Sequence, residues 1–259
     1  MTLSARGISK KYGKKMPEAL SGVSMEITAG GVFAIVGPAK SGKSTIAEIL
    51  AAVEKPTSGE CLLDGMNIHK KHKKYHRGYV PQYVQLEEGK DRTLQGWGGD
   101  IKSFPPSWTL TRFIKELSGA TTMESGGRPD EAYAQKMMRM VGLEEDANSA
   151  LAGFSVGMVK RFAILIASWC SPSVLILDEP YNGLDPEFCD SLNSYLTELA
   201  KTRIVIFSTE TIAHVESTAT HLAVMNKGRL AFGGTVAEFT KDTEGDVRAA
   251  YNRLTMLMG

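Results

Sequence analysis

The chain has 259 residues, of which 42% are hydrophobic and 23% charged, a composition typical of globular proteins and not of disordered or collagen-like chains. Its 30 Lys and Arg balance 29 Asp and Glu, so it lacks the basic excess of proteins that coat nucleic acid. Its 3 cysteines have no CxxC spacing, which favours free thiols in a reducing compartment. The longest apolar stretch, residues 162–177, is too interrupted to span a bilayer. We therefore expect one soluble domain, with at most a subdomain, and no nucleic-acid partner.

Strand and helix patterns alternate along the chain, which predicts a layered α/β fold. Continuous or short apolar runs predict strands at residues 32–36, 59–64, 77–81, 174–177 and 204–207. Helical spacing predicts helices at residues 43–53, 130–140 and 158–169, and a further helix with Phe188 and Leu192 on one face. A turn signal at residues 226–228 predicts a hairpin between 222–225 and 229–232, followed by a Thr-capped helix and a terminal helix.

Residues 37–44 fit the phosphate-binding pattern GxxxxGK[ST] at every position, between a predicted strand and a predicted helix. In such a loop the glycines let backbone N–H groups surround the β-phosphate, and the helix N-terminus attracts the negative charge. Lys43 would reach the β- and γ-phosphates, Ser44 would bind Mg²⁺, and Thr45 would contact the α-phosphate. The expected nucleotide contacts are therefore Gly37, Pro38, Lys40, Ser41, Gly42, Lys43, Ser44 and Thr45.

Two carboxylates follow the apolar run at residues 174–177. We expect Asp178 near Mg²⁺ and Glu179 beside the γ-phosphate, where Glu179 can act as general base on an attacking water. Strands often end in acidic residues, so the pair alone is a weak signal. Together with the phosphate-binding loop, it predicts nucleotide hydrolysis.

The order of these elements, over nearly the whole chain, resembles the ATP-binding cassette (ABC) ATPases. Three further motifs carry the resemblance: residues 80–82 (VPQ) are similar to the Q-loop, 154–158 (FSVGM) to the family signature, and 183–186 (GLDP) to the D-loop. The resemblance implies ATP and Mg²⁺ as cofactors, an adenine stacked on Tyr12, and a Gln82 that senses Mg²⁺ and faces the transporter.

The resemblance also implies an architecture. It predicts an α/β P-loop NTPase of the ABC type, with a RecA-like core, an antiparallel β-subdomain and a helical subdomain. Residues 1–259 would form a single ATPase domain, with the β-subdomain and core in 1–82 and 172–259, a linker in 83–107, and the helical subdomain with the signature in 108–171. The linker is longer than in the family, and it is either a surface loop or an insert that contacts a partner.

The family's assembly implies two partners. In a head-to-tail dimer, Ser155 and the N–H groups near Gly157 would contact the γ-phosphate held by the opposite subunit, with Asp185 in the D-loop nearby. The helix N-terminus after Ser155 suits an anion. The second partner is a transmembrane permease, which would place this chain in the cytoplasm on the inner face of the membrane.

Two motifs depart from the family pattern, at three positions. In the signature, Val156 replaces a glycine and Met158 a glutamine, and methionine there resembles the single-cassette ATPases of ABC-2-type exporters. At position 210 a glutamate replaces the histidine that clasps the γ-phosphate, and His214 lies about one turn too far on to substitute. A carboxylate near a triphosphate is repulsive unless it is protonated or turned away. We expect weak hydrolysis at this chain's own site; a Glu210 pointing into solvent would merely slow it.

The main prediction is an ATP-hydrolysing subunit of a separately encoded transporter, with Glu179, Gln82 and Glu210 as the catalytic positions and Ser44, Gln82 and Asp178 as the metal positions. The alternative is an ATP-gated clamp with little hydrolysis, acting as a regulatory subunit or as half of a heterodimer. Glu210 favours the alternative, whereas Glu179 and Asp178 favour real hydrolysis. The soluble ABC proteins of DNA repair and translation fit less well, because they need two cassettes or a long coiled coil.

Overall fold

The computed structural model describes residues 1–70, 77–83, 107–120, 129–169 and 171–257. The chain divides into two compact units, residues 1–72 with 196–259 and residues 73–195. The strands are β1 (Thr2–Lys10), β2 (Leu20–Thr28), β3 (Val32–Val36), β4 (Ser58–Leu63), β5 (Met66–Asn67), β6 (Arg77–Val80), β7 (Val174–Asp178), β8 (Ile204–Thr209), β9 (His221–Asn226) and β10 (Arg229–Thr235). The helices are α1 (Lys43–Leu50), α2 (Leu110–Ala120), α3 (Glu131–Met140), α4 (Val156–Ser168), α5 (Pro186–Ala200), α6 (Ile212–Thr218), α7 (Val236–Thr240) and α8 (Val247–Leu257).

The first unit contains an antiparallel sheet in the order β2-β1-β4-β5. Two register shifts interrupt the pairing of β1 with β2, one between Ala5 and Ile8 and one between Ile8 and Lys10. A shift moves the apolar positions out of strict alternation. The alternation is lost in β1, whereas buried Val23, Met25 and Ile27 of β2 alternate with exposed residues, and β2 was nevertheless not predicted. The antiparallel sheet itself was expected from the resemblance.

The first unit also contains the parallel strands that carry the phosphate-binding loop. β3 pairs in parallel with β8 on one side and β9 on the other, and β10 pairs antiparallel with β9. All five residues of β3 are buried, as its continuous apolar run predicted. The predicted hairpin is confirmed: Lys227 and Gly228 have φ of 46° and 76°, the positive values that a tight two-residue turn requires.

The second unit is built on the parallel pair β6 and β7, on which α4 packs. A Cβ on Gly78 of β6 would lie 2.1 Å from the carbonyl oxygen of Ala167, so only glycine allows α4 to approach this closely. Phe113 of α2 meets Phe162 of α4 edge to face, with ring centroids 4.9 Å apart. The phenol of Tyr133 in α3 donates to the carbonyl of Trp169 at 2.7 Å.

Most of the predicted elements are confirmed, including the helix capped by Asp130, whose side chain accepts from the N–H of Tyr133. The Thr235 cap of α7 is confirmed as a full capping box with Glu238. Helix α2 lies in the segment 108–171 that was predicted to be helical, although its bounds were not predicted, and α6 was not predicted. The segment 84–106, which holds most of the linker, and the basic residues 71–76 lie outside the described residues. Within the described ranges, no helix combines the length and hydropathy needed to cross a bilayer.

Candidate functional site

The phosphate-binding loop connects the end of β3 to the start of α1, where the sequence placed it. A Cβ on Gly37 would lie 2.3 Å from the carbonyl oxygen of Met225, and one on Gly42 would lie 2.9 Å from that of Ala19. Gly42 also has φ of 101°, a left-handed conformation that glycine adopts without a steric penalty. Close backbone packing therefore requires both glycines, and Pro38 and Lys40 of the same loop are exposed.

Lys43 begins α1, and its side chain is folded back over the loop. The ammonium donates to the carbonyls of Gly37 at 2.9 Å and Pro38 at 3.1 Å. It also donates to Oε1 of Glu210 at 3.1 Å, forming an ion pair in which Lys43 is 5% and Glu210 48% exposed. Glu210 follows β8, the strand paired in parallel with β3, so the topology brings position 210 to the loop. This contact had not been expected, because the sequence argument considered only repulsion by phosphate or solvent exposure.

The loop has the features of a phosphate site. The buried hydroxyl of Ser41 has no hydrogen-bond partner among the described residues. That oxygen would lie 2.7 Å from a Cβ on Gly37, so it lies against the first residue of the loop. Together with the N-terminus of α1 and the ammonium of Lys43, it suits a phosphate group. These residues therefore fit the expected triphosphate.

Tyr12 lies beside the first turns of α1. Its hydroxyl is 3.4 Å from Oγ1 of Thr45 and 3.3 Å from Oε2 of Glu48. The ammonium of Lys10 lies over the ring, 4.9 Å from its centroid. Partial burial is the main reason that the pKa of Tyr12 is raised. Because 51% of Tyr12 remains exposed, its ring is available for stacking, next to the Thr45 predicted to contact the α-phosphate.

In the second unit, the expected carboxylates lie at the carboxyl end of β7. Asp178 is 1% exposed and Glu179 is 4% exposed. Glu179 has φ of 47°, a left-handed conformation that is strained for a residue with a side chain. Gln82 lies two residues beyond the end of the neighbouring strand β6 and is half-buried. The parallel pairing of β6 with β7 thus brings the chain at Gln82 and at Asp178 to the same edge.

Lys160 of α4 joins these two chain segments, and sequence analysis missed it. Its ammonium donates to the carbonyls of Gln82 at 2.8 Å, Pro81 at 3.1 Å and Asp178 at 3.4 Å. Desolvation lowers the pKa of Lys160 to about 8, opposed by the charges of Asp178 and Glu179. The available signal was a helical lysine with no charged residue three or four positions away, where Val156, Gly157, Ala163 and Ile164 lie.

The signature and the D-loop also contact each other within the second unit. Ser155 caps α4, and its hydroxyl accepts from the N–H of Met158 at 3.3 Å. A Cβ on Gly157 would lie 3.2 Å from the carbonyl oxygen of Gly183, which leaves little room for a side chain at position 157. Val156, the departure from the family glycine, is 80% exposed.

Arg161 ties α4 to the D-loop and was also missed by sequence analysis. Its guanidinium pairs with Asp185 and stacks over the ring of Phe188, 4.4 Å from the centroid. Asp185 in turn accepts from the N–H of Phe188 at 2.8 Å and so caps α5. The bond from the N–H of Phe188, followed by the positive charge of Arg161, lowers the pKa of Asp185.

Oxygen donors of the type that Mg²⁺ prefers are present in each unit. In the first unit, Ser44 lies in the first turn of α1 and is half-buried. In the second, the Asp178 carboxylate is buried at the end of β7, and Gln82 follows β6. This donor chemistry fits Mg²⁺. In the described ranges no group of three or more His, Cys, Asp or Glu side chains forms a metal cluster of its own.

Residues 20–182 of the chain match the family model described as ABC transporter. An uncharacterized ABC transporter ATP-binding protein of Bacillus subtilis is 28% identical over 245 residues, covering 95% of this chain and 75% of the relative. A methionine import ATP-binding protein of Latilactobacillus sakei is 27% identical, covering 96% and 70%. A lantibiotic transport ATP-binding protein of Streptococcus pyogenes is 28% identical, covering 88% of both chains.

Solved structures are similar in fold. The ATP-binding subunit of an ABC transporter superimposes with a TM-score of 0.78 at 21% identity, covering 98% of this chain and 100% of that one. A dimeric bacterial ABC transporter cassette superimposes with a TM-score of 0.71 at 21% identity, covering 90% and 98%.

Proposed function

Because the chain belongs to the ABC transporter family of ATPases and has that family's α/β fold, we propose that it is the ATP-binding and ATP-hydrolysing subunit of a separately encoded membrane transporter. The observation that carries the proposal is the loop of residues 37–44. Its glycines pack against backbone, its Ser41 hydroxyl is buried without a hydrogen-bond partner among the described residues, and the ammonium of Lys43 donates to its first carbonyl. We place the protein in the cytoplasm, held on the membrane by a permease, without a nucleic-acid partner.

The residues of the chain divide the work between binding and chemistry. Gly37, Pro38, Lys40, Ser41 and Gly42 surround the β-phosphate. Lys43 contacts the β- and γ-phosphates, Thr45 the α-phosphate, and Tyr12 stacks on adenine. Glu179 orients the attacking water and accepts its proton. Ser44, Asp178 and Gln82 are the residues that would hold Mg²⁺, which would supply positive charge to the phosphates.

We assign the active assembly to a dimer of cassettes. Ser155 and the N–H groups around Gly157 contact the γ-phosphate on the opposite subunit, where the cap position and the N-terminus of α4 both favour an anion. Asp185, tied to α4 through Arg161, supports this surface from the D-loop. One structural neighbour is a dimeric cassette, which supports the same arrangement here.

We propose export as the direction, on the basis of Met158 in the signature. The relatives are named for lantibiotic transport and for methionine import, so a direct assay is the appropriate test. Accumulation of substrate inside inverted vesicles that contain the assembled complex supports export. Accumulation in right-side-out vesicles contradicts it.

A second function, the ATP-gated clamp, is favoured by one observation: Glu210, at the position where the family has a histidine, pairs with Lys43. A heterodimer is compatible with both functions, because Ser155 can complete a competent site on another subunit. The two functions are separated by purifying the chain with its membrane partners and measuring ATPase activity in wild type, Glu179→Gln and Glu210→His. If this chain hydrolyses ATP, the ATPase rate should fall strongly in Glu179→Gln and rise in Glu210→His. An unchanged rate in Glu179→Gln identifies the chain as the clamp.

A further inference from the structure

A single buried ammonium connects the signature helix to the ends of two strands. Lys160 lies in the second turn of α4 and is 4% exposed. Three carbonyl oxygens surround its nitrogen: those of Pro81, Gln82 and Asp178, at 2.8 to 3.4 Å. A lysine ammonium has three N–H donors, so each donor has one acceptor.

The three acceptors lie where the parallel ladder stops. The last paired residues of β6 and β7 are Val80 and Leu177. The carbonyls of Pro81, Gln82 and Asp178 lie beyond that last pair, and buried carbonyls need a donor. Lys160 supplies donors to both chain ends from a neighbouring helix.

Filling space does not explain a lysine here. Burying an ammonium costs solvation free energy, and an apolar side chain packs beside residues such as Val159 and Phe162 without that cost. What an apolar side chain lacks is the ability to hold carbonyls of two different strands at one point. The directed hydrogen bonds of the ammonium are therefore the physical reason for a lysine at position 160.

We propose that Lys160 is a positioning residue that holds the backbone of Gln82 and Asp178 in fixed register with the signature helix. The inference rests on the proposed function, in which Gln82 and Asp178 belong to the hydrolytic site. Ser155 begins the same helix five residues earlier, so one helix carries both the contact to the opposite subunit and the anchor of the Q-loop. Lys160 acts through these residues and does not touch the nucleotide.

The test compares Lys160→Met, which keeps the length of the side chain but loses its donors, with Lys160→Gln, which keeps amide donors without the charge. Lys136→Met is the matched control, since Lys136 is an exposed helical lysine of the same unit. The full-length proteins are compared in three measurements. These are the kcat of ATP hydrolysis, the Kd of ATP in EDTA, and amide hydrogen exchange of residues 77–83.

Lys160→Met is expected to lower kcat by about 10- to 100-fold, the range seen when supporting partners of site ligands are lost. Its Kd for ATP in EDTA should be unchanged, because the acceptors of Lys160 are the carbonyls of Pro81, Gln82 and Asp178, which do not belong to the phosphate-binding loop. Exchange in residues 77–83 should be faster than in wild type. Lys160→Gln should be intermediate in kcat and exchange, and it carries the comparison if Lys160→Met does not fold.

Wild-type turnover or wild-type exchange in Lys160→Met overturns the proposal, as does an equal loss in Lys136→Met. A wild-type protein that neither binds nor hydrolyses ATP overturns the proposed function instead. In that case the exchange comparison still tests whether Lys160 holds residues 77–83.

Discussion

The ammonium of Lys43 lies 3.1 Å from Oε1 of Glu210, so the lysine of the phosphate-binding loop already has a carboxylate partner. The two residues are 167 positions apart, and the parallel pairing of β3 with β8 brings them together. Phosphate oxygens would meet the same ammonium. Glu210 therefore acts on the lysine of the loop, in addition to the repulsion of a γ-phosphate that the sequence predicts.

Removing the charge of Glu210 should strengthen nucleotide binding. In Glu210→Gln the ammonium of Lys43 no longer has an anionic competitor, and repulsion of the γ-phosphate is relieved. Because Glu210 is half-exposed, the pair is worth up to about 1 kcal/mol, which corresponds to roughly fivefold in Kd. Isothermal titration of ATP into the variant measures the change.

The control for this comparison is Glu216→Gln, which removes the same charge from an exposed position on α6. It should bind ATP with the wild-type Kd. Weaker binding in Glu210→Gln than in wild type would show that the carboxylate supports the loop and does not compete for Lys43.

The close packing of the phosphate-binding loop predicts a severe effect of Gly42→Ala. A Cβ there would lie 2.8 Å from Cδ2 of Leu20 and 2.9 Å from the carbonyl oxygen of Ala19, at φ of 101°. The matched control is Gly65→Ala, which has φ of 80° but no atom within 4 Å.

Gly65→Ala should cost about 1–2 kcal/mol through its backbone conformation alone. Gly42→Ala should cost roughly 1–3 kcal/mol more, the usual penalty of overpacking. Urea unfolding of both variants measures the difference. Equal losses of stability would mean that the neighbours of Gly42 yield without cost.

Ser155→Ala should destabilise the chain by about 1 kcal/mol, because the hydroxyl caps α4 through the N–H of Met158. Thr211→Ala is the control, since Thr211 occupies the same cap position of α6 but makes no side-chain cap hydrogen bond. The loss of stability in Thr211→Ala, measured by chemical denaturation, should be smaller than that in Ser155→Ala. A loss in Thr211→Ala as large as that in Ser155→Ala would argue against a capping contribution from Ser155.

The pKa of Asp185 predicts a pH-dependent contribution to stability. The N–H of Phe188 and the charge of Arg161 lower the folded-state pKa below the usual value of about 3.9. Asp185 therefore stabilises the fold above that usual value, and the contribution is lost as the pH falls through the folded pKa. The stability difference between wild type and Asp185→Asn should shrink when urea unfolding is repeated from about pH 6 down to about pH 3.

Asp190→Asn is the control for Asp185, because it removes a carboxylate from the same helix without removing the bond to Phe188. A difference between wild type and Asp185→Asn that is constant across this pH range would show that the carboxylate and the amide cap α5 equally well.

The chain itself specified the buried parallel strands and the site motifs. The run VFAIV at residues 32–36 is apolar at every position, as a strand covered on both faces must be, and GxxxxGK[ST] requires its residue types within eight consecutive positions. Such signals are local, so they can be recognised without knowledge of the fold. β1 was not predicted because its register shifts depend on how two strands pair. β2 was not predicted although Val23, Met25 and Ile27 alternate with polar residues, so there the local signal was present.

The contacts of the site depend on residues distant in sequence. The sequence showed that Glu210 stands where the family has a histidine, but its pairing with Lys43 follows from the parallel pairing of β3 with β8. Lys160 was not distinguished from the lysines that lie on helix surfaces, because burial and acceptors appear only when α4 packs on β6. The local motifs thus identified an ATPase of the ABC type. Long-range packing determined which charged side chains lie next to the residues of those motifs.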